Sequence, residues 1–229
     1  MTVVQSARSD GGGTGIAPTF VMLPGASIHA GSTGDREALA AVFRRAVRAF
    51  ELAEVPYVLI GGLASSALGR PRCSSDIDLF VTPETAPYAL EVLEKAGFTT
   101  EVTNPAWLYK AFCQDILVDL LFKTVGDIYL DREMLRRART ETVLGCEVRV
   151  IPPEDLIVIK AIVHDEETPR HWHDALALLR RPDLDWDYLV ERAQRGPRRV
   201  LSLLLYALST DLWVPNRPLR RLAEQVLFE

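Results

Sequence analysis

Asp76-Ile77-Asp78 is the segment whose side chains are most plainly spaced for chemistry. Residues two apart in a strand project from one face. The run Asp76-Ile77-Asp78-Leu79-Phe80-Val81 alternates acid with apolar before turning wholly apolar, which sets two carboxylates side by side at the entrance to a core. Such a pair repels itself unless a cation lies between. Hard divalent cations take oxygen ligands, commonly one or two carboxylates plus substrate phosphates, and two-metal phosphoryl transfer uses them in this way. A solvated strand face is the plain alternative, and the apolar Leu79-Phe80-Val81 argues against it. A third acid, Asp119, lies inside Ile116-Leu117-Val118-Asp119-Leu120-Leu121-Phe122. An ionised carboxylate in so apolar a strand is costly unless a charge meets it. Asp115 stands at the entrance of the same strand and reads as exposed.

Gly61-Gly62 follows the apolar run Tyr57-Val58-Leu59-Ile60, with thirteen residues between Gly62 and Asp76. Glycines there let backbone amides approach a ligand closely, and the N-terminus of a following helix favours an anion. A tight strand-to-helix turn without a ligand would look the same. Arg70 and Arg72 flank the approach to the acid pair and could grip phosphates or lie in a solvated loop. Ser74 and Ser75 could bind phosphate or close a turn. They are also plausible phosphorylation sites, where added negative charge would block a triphosphate. Lys160 follows four apolar residues, so its ammonium needs an acid such as Asp174, a ligand phosphate, or a route to solvent along its own stem. His171-Trp172-His173 suggests zinc at first sight. Residues two apart on a helix diverge, though, and no further Cys or His completes a site.

The elements that must position these residues follow from periodicity and punctuation. Asp35 reads as a cap for a helix over 36–54 with apolar residues at helical spacing. Strands are expected over 57–60, 76–81, 98–102, 108–113 and 116–122, with a hairpin over 142–151 broken by Gly145. Helices are expected over 63–68, from Thr82-Pro83 to before Gly97, and over 131–138. After Pro152-Pro153 every segment reads as helix: 154–164, 170–180, 186–195, 197–211 and 217–227. The fold class is therefore α+β. Residues 1–34 are expected to form a Gly-rich flexible leader with one short ordered piece at 20–23, residues 35–151 a mixed α/β domain that carries the acids, and residues 152–229 a C-terminal helical domain.

Composition narrows the class. The 229 residues are 48% hydrophobic and 25% charged, with a net charge of −5, the balance of a globular protein. No stretch of 18 apolar residues suggests a membrane span, and the N-terminus lacks a secretory pattern. Three scattered cysteines, Cys73, Cys113 and Cys146, suit reduced thiols and a cytoplasmic location. An acidic total argues against a generic nucleic-acid binder. A basic groove can persist within it, as the adjacent pairs Arg198-Arg199 and Arg220-Arg221 suggest.

Ile60-Gly61-Gly62, Asp76-Ile77-Asp78 and Val118-Asp119-Leu120 together resemble the nucleotidyltransferase fold of the DNA polymerase β-like superfamily, over about residues 36–150. The resemblance implies a mixed β-sheet flanked by helices. It also implies two Mg²⁺ ions on Asp76, Asp78 and Asp119, a triphosphate held at Gly61 and Gly62, and an acceptor hydroxyl activated with help from Asp119. Arg72-Cys73-Ser74-Ser75-Asp76 is similar to the R-x-[ST]-x-D lead-in of AbiEii-type nucleotidyltransferases, which include the MenT-type toxins. In those a later helical lysine and an R-D-x-x-D segment follow. Lys160 and Asp174 match, whereas His171 stands in place of the first aspartate. This narrower likeness implies catalytic roles for Lys160 and Asp174 and nucleotide contacts from Arg72, Ser74, Ser75 and Lys160. It further implies an NTP substrate, the 3′ end of tRNA as acceptor, and a toxin role beside a cognate antitoxin protein. Two other readings remain: a small-molecule acceptor of aminoglycoside type, and a non-catalytic binding protein or antitoxin.

Overall fold

The computed structural model describes residues 33–228. The expected leader and its ordered piece lie outside them, apart from Thr33 and Gly34, which already belong to helix α1 (Thr33–Leu52). Asp35 thus sits in the first turn of α1 rather than capping it. Leu39, Val42, Phe43, Ala46, Val47 and Phe50 recur at helical spacing, and all are buried.

Seven strands form one sheet in the order β3-β4-β5-β2-β1-β7-β6. They are β1 (Val58–Leu59), β2 (Asp76–Phe80), β3 (Thr99–Asn104), β4 (Leu108–Cys113), β5 (Ile116–Leu121), β6 (Arg139–Val143) and β7 (Cys146–Val150). The β2–β5 and β1–β7 pairs are parallel and the other pairs antiparallel. Two tight hairpins fix the register. Gln114-Asp115 joins β4 to β5 and Leu144-Gly145 joins β6 to β7, all four residues with positive φ. Two-residue turns of this form match the twist of antiparallel strands.

Several boundaries differ from the sequence reading, each for a local reason. Strand β1 is only two residues long, and helix α2 (Gly61–Leu68) starts at Gly61, so the two glycines form its first turn. Helix α3 (Ala86–Lys95) starts after a turn in which Thr82 Oγ1 accepts from the Thr85 N–H at 3.3 Å and Thr82 O accepts from the Ala86 N–H at 3.0 Å. Strand β3 begins one residue later than expected and runs to Asn104, and β6 starts at Arg139 rather than Thr142. Helix α4 (Arg132–Arg137) is capped by Asp131, whose side chain accepts from the Met134 N–H.

The strands end at Val150, and from Pro153 on the regular elements are helices: α5 (Pro153–Val163), α6 (Arg170–Leu178), α7 (Trp186–Arg192), α8 (Pro197–Ser209) and α9 (Asn216–Phe228), with a 3₁₀ turn after α7. Helix α5 is buried on nearly every side, including Glu154, Asp155 and Lys160. Its charges are met by neighbours. Glu154 accepts from the Asp185 N–H at 2.8 Å, and Asp155 accepts from Tyr188 Oη at 2.7 Å and Arg192 Nε at 2.5 Å. Arg192 also reaches Asp131 at 2.7 Å, bridging α7 to the cap of α4. One apolar cluster runs from Phe43, Ile77 and Phe80 through Leu156 and Leu189 to Leu203, so the sheet and the later helices share a core. Among the described residues no helix is long and apolar enough to cross a membrane.

Candidate active site

Strand β2 places Ile77 and Leu79 in the core and turns Asp76 and Asp78 to the opposite face, where both are half-buried. The parallel register sets Asp78 directly beside Asp119 of β5. The hairpin register then sets Lys110 of β4 beside Asp119. Asp78, Asp119 and Lys110 thus lie in one row across adjacent strands, with Asp76 two residues along β2 from Asp78 on the same face. Asp115 is excluded, because it forms the exposed tip of the β4–β5 hairpin at φ 61°.

The row is electrostatically tense. Burial, then the charges of Asp76 and Asp119, push the Asp78 carboxyl up to about 7, against the opposing pull of the Gly62 N–H and Lys160. Burial also raises Asp119, with Lys110 opposing and Asp76 adding to the rise. Asp119 Oδ1 is buried and has no hydrogen-bond partner. Asp76 is held by Ser74, whose hydroxyl donates to Oδ1 at 2.7 Å.

Gly61 and Gly62 are glycines for a steric reason. Gly61 has φ +67°, and a Cβ there would fall 1.8 Å from Asp78 Oδ2. At Gly62 it would fall 2.2 Å from Ser74 Oγ and 2.8 Å from Arg72 Nη2. The Gly62 N–H points at Asp78 Oδ2 across 3.4 Å. Backbone, acid and serine therefore meet at a point where no side chain fits.

On the helical side Asp174 is completely buried and gathers three cations. Arg70 Nη1 lies 2.8 Å from its Oδ1, while Arg72 Nη2 and Lys160 Nζ each lie 3.2 Å from its Oδ2. Burial alone would raise the Asp174 carboxyl, but Lys160, Arg70 and Arg72 outweigh it and hold it below the ordinary range. Burial lowers Lys160, and Asp174 resists that. Three cations on one carboxylate leave a surplus of positive charge beside the acid row, which suits a polyanion. The sequence offered an acid, a phosphate or solvent as partner for Lys160; the acid is Asp174. Both carboxylate oxygens of Asp174 are thus taken up by these cations.

The other expected residues divide. Arg72 and Ser74 stand at the junction of the acids and the cation cluster, whereas Ser75 is exposed and makes no side-chain hydrogen bond among the described residues. His171 is half-buried beside the cluster. Burial, then Lys160 and Arg170, push its imidazole down to about 4, and its Nδ1 has no partner. It is a neutral neighbour of Lys160, while His173 is exposed. Trp172 is partly buried between His164 and Tyr206 at ring distances of 4.5 and 5.3 Å. Lys110 was not anticipated. A signal for it existed, since a two-residue turn at 114–115 pairs residue 110 with residue 119 by counting outward along the strands.

Among the described residues no three carboxylate, imidazole or thiol groups are gathered closely enough to close on one ion. In kind, the residues fit a hard divalent cation: the donors are carboxylate oxygens, one of them buried without a partner, and their mutual repulsion calls for positive charge.

Comparison with known proteins agrees with this geometry. No curated protein matches the sequence. Among solved structures, the antibiotic-resistance factor ANT(2″)-Ia, determined in solution, is similar at 19% identity and a TM-score of 0.51, over 77% of this chain and 94% of that one. The lincosamide antibiotic adenylyltransferase LnuA, determined with lincomycin bound, shares 16% identity at a TM-score of 0.44, over 64% of this chain and 96% of that one. The first likeness shows a nucleotidyltransferase-like fold. A family model described as "Nucleotidyl transferase of unknown function (DUF2204)" matches residues 40–191, which span the acid row, the glycine turn and the cation cluster. With more than half its length matched, this chain belongs to that family and is a nucleotidyltransferase, an enzyme that uses an NTP.

Proposed function

We propose that this enzyme transfers a nucleoside monophosphate from an NTP to the 3′ end of tRNA and releases pyrophosphate. In this reading Asp76, Asp78 and Asp119 hold Mg²⁺, two ions in all, and Asp119 orients the attacking hydroxyl and draws off its proton. Bound Mg²⁺ supplies neutralisation of the triphosphate and of the charge that develops on the transferred phosphoryl group. Gly61, Gly62, Arg72, Ser74 and Lys160 form the triphosphate side, and Ser75 borders it from solvent. Asp174 is a positioning residue that aims Arg70, Arg72 and Lys160 at that side. A growth-arresting role in the cytoplasm, restrained by an antitoxin protein, belongs to the same reading.

The observation that carries it is the fully buried Asp174 holding three cations beside three carboxylates. That arrangement joins the Arg72–Asp76 lead-in to the later Lys160 and Asp174, as in the toxin-type resemblance. Not all of the expected helical arginines are free to bind an acceptor stem. Arg221 pairs with Asp187, as does its neighbour Arg217, whereas Arg198, Arg199 and Arg220 are exposed without an ion pair among the described residues.

The test is incubation of the purified protein with Mg²⁺, each α-labelled NTP in turn and total tRNA, with Asp78→Ala alongside. Label on tRNA that vanishes in the variant is the expected result. Label on an aminoglycoside and none on tRNA would move the acceptor to a small cationic molecule.

A further inference from the structure

Four strands lie side by side in the order β3, β4, β5, β2, and their cross-strand neighbours Glu101, Lys110, Asp119 and Asp78 share one line across them. Strand spacing is about 4.8 Å, so Lys110 stands one strand beyond Asp119 and roughly 10 Å from the Asp78 backbone. The glycine turn follows β1, on the other side of β2. Arg72 Nη2 lies against that turn, 2.8 Å from where a Cβ on Gly62 would fall, and Arg70 and Lys160 join Arg72 on Asp174. Lys110 is therefore the cation at the far end of the acid row from the triphosphate side.

The two ends differ in charge balance. The Asp174 cations share a buried counter-ion. Lys110 is half-buried and has no carboxylate within 4.0 Å among the described residues; Asp119 acts on it only at longer range, and Glu101 is exposed and accepts from Thr103 Oγ1. Phosphoryl transfer needs the attacking and leaving oxygens roughly in line. With pyrophosphate leaving on the glycine and Asp174 side, the acceptor hydroxyl enters from the β5–β4 side, beside Asp119 and Lys110.

We infer that Lys110 binds the phosphodiester adjacent to the attacking hydroxyl, so that it selects the anionic end of a nucleic acid over a polycationic amino sugar. An ammonium at that position attracts the former and repels the latter. This rests on the RNA-acceptor reading above and adds the residue that enforces it.

Steady-state kinetics of the full chain with tRNA and NTP, varied separately, test it in Lys110→Gln, Lys110→Met and Lys110→Arg. Met keeps the aliphatic stem should Gln disturb folding, and melting curves verify that each variant folds. The expected result for both neutral variants is a KM for tRNA raised about tenfold or more. Their KM for NTP stays within about twofold, and the slope of log kcat/KM against log salt falls by about one. Arg should restore most of the tRNA affinity. An unchanged KM for tRNA in both neutral variants, where the wild type labels tRNA, would overturn the role of Lys110 alone. A loss confined to kcat would do the same, since Lys110 would then be acting through Asp119. A wild type that labels no RNA would overturn this inference together with the reading it rests on.

Discussion

Ionising Asp78 puts a negative charge between two others on a half-buried face, and the fold resists it. The carboxyl titrates at about 7 in the folded chain against about 4 when unfolded. Its folded value is raised, so the folded state holds the proton over that window and stability from this group is lost as pH climbs from about 4 to about 7. In EDTA, Asp78→Asn should therefore melt several degrees above wild type at pH 8 and differ little at pH 4, while transfer activity is abolished. A variant that melts below wild type at pH 8 would mean that the carboxylate is not strained. Asp174 behaves in the opposite sense. Removing its charge leaves Arg70, Arg72 and Lys160 facing one another, so Asp174→Asn should destabilise by roughly 3 kcal/mol and raise the KM for NTP. Urea titration and NTP kinetics check the two parts. Asp76-Ile77-Asp78 and Asp119 could be read from the sequence because acid at period two and acid within an apolar strand are both costly patterns. The three-to-one grouping on Asp174 could not, since it depends on a loop and two helices meeting across about a hundred residues.

At the scale of elements, the first turn of α2 and the β4–β5 hairpin do most to shape the site. Gly61 combines a left-handed backbone with a neighbour that leaves no room for a methyl group. Gly61→Ala should exceed the roughly 1–2 kcal/mol of left-handed strain, because Asp78 must also be displaced, and activity should fall with stability. Gly145 is the control: its φ is +80°, but an added Cβ meets nothing within 4 Å. Gly145→Ala should cost only about 1 kcal/mol and leave transfer intact, as thermal melts and tRNA labelling would reveal. The turn at 114–115 shows why Lys110 escaped a residue-by-residue reading. Neither Gln114 nor Asp115 is a glycine, so nothing in their types marks the two-residue gap between the expected strands as a tight turn, and only that turn type fixes the register that brings Lys110 to Asp119. The start of α3 differs because Thr82 satisfies backbone groups before regular helix begins, and that of α2 because its two glycines, read as a turn, already form its first helical turn.

Across the whole molecule, the sheet and the later helices are tied by a shared core and by Arg192. This guanidinium links Asp155, itself buried and pushed up to about 6 by burial against the pull of Arg192 and Tyr188, to Asp131 at the start of α4. Arg192→Leu strands the Asp155 charge and should destabilise by about 3–5 kcal/mol. Because the core is continuous, unfolding followed by circular dichroism and by tryptophan fluorescence should still give one coincident transition. Two separated transitions would mean that the helical half folds by itself. The split arrangement of the site also has a consequence in time. A ribosome adding roughly 5–20 residues per second delivers Asp76, Asp78, Arg70 and Arg72 at least several seconds before Asp174 emerges to order the two arginines. The nascent chain thus carries its acids and both arginines well before the carboxylate that orders them, and the cation cluster assembles only after Asp174 has followed.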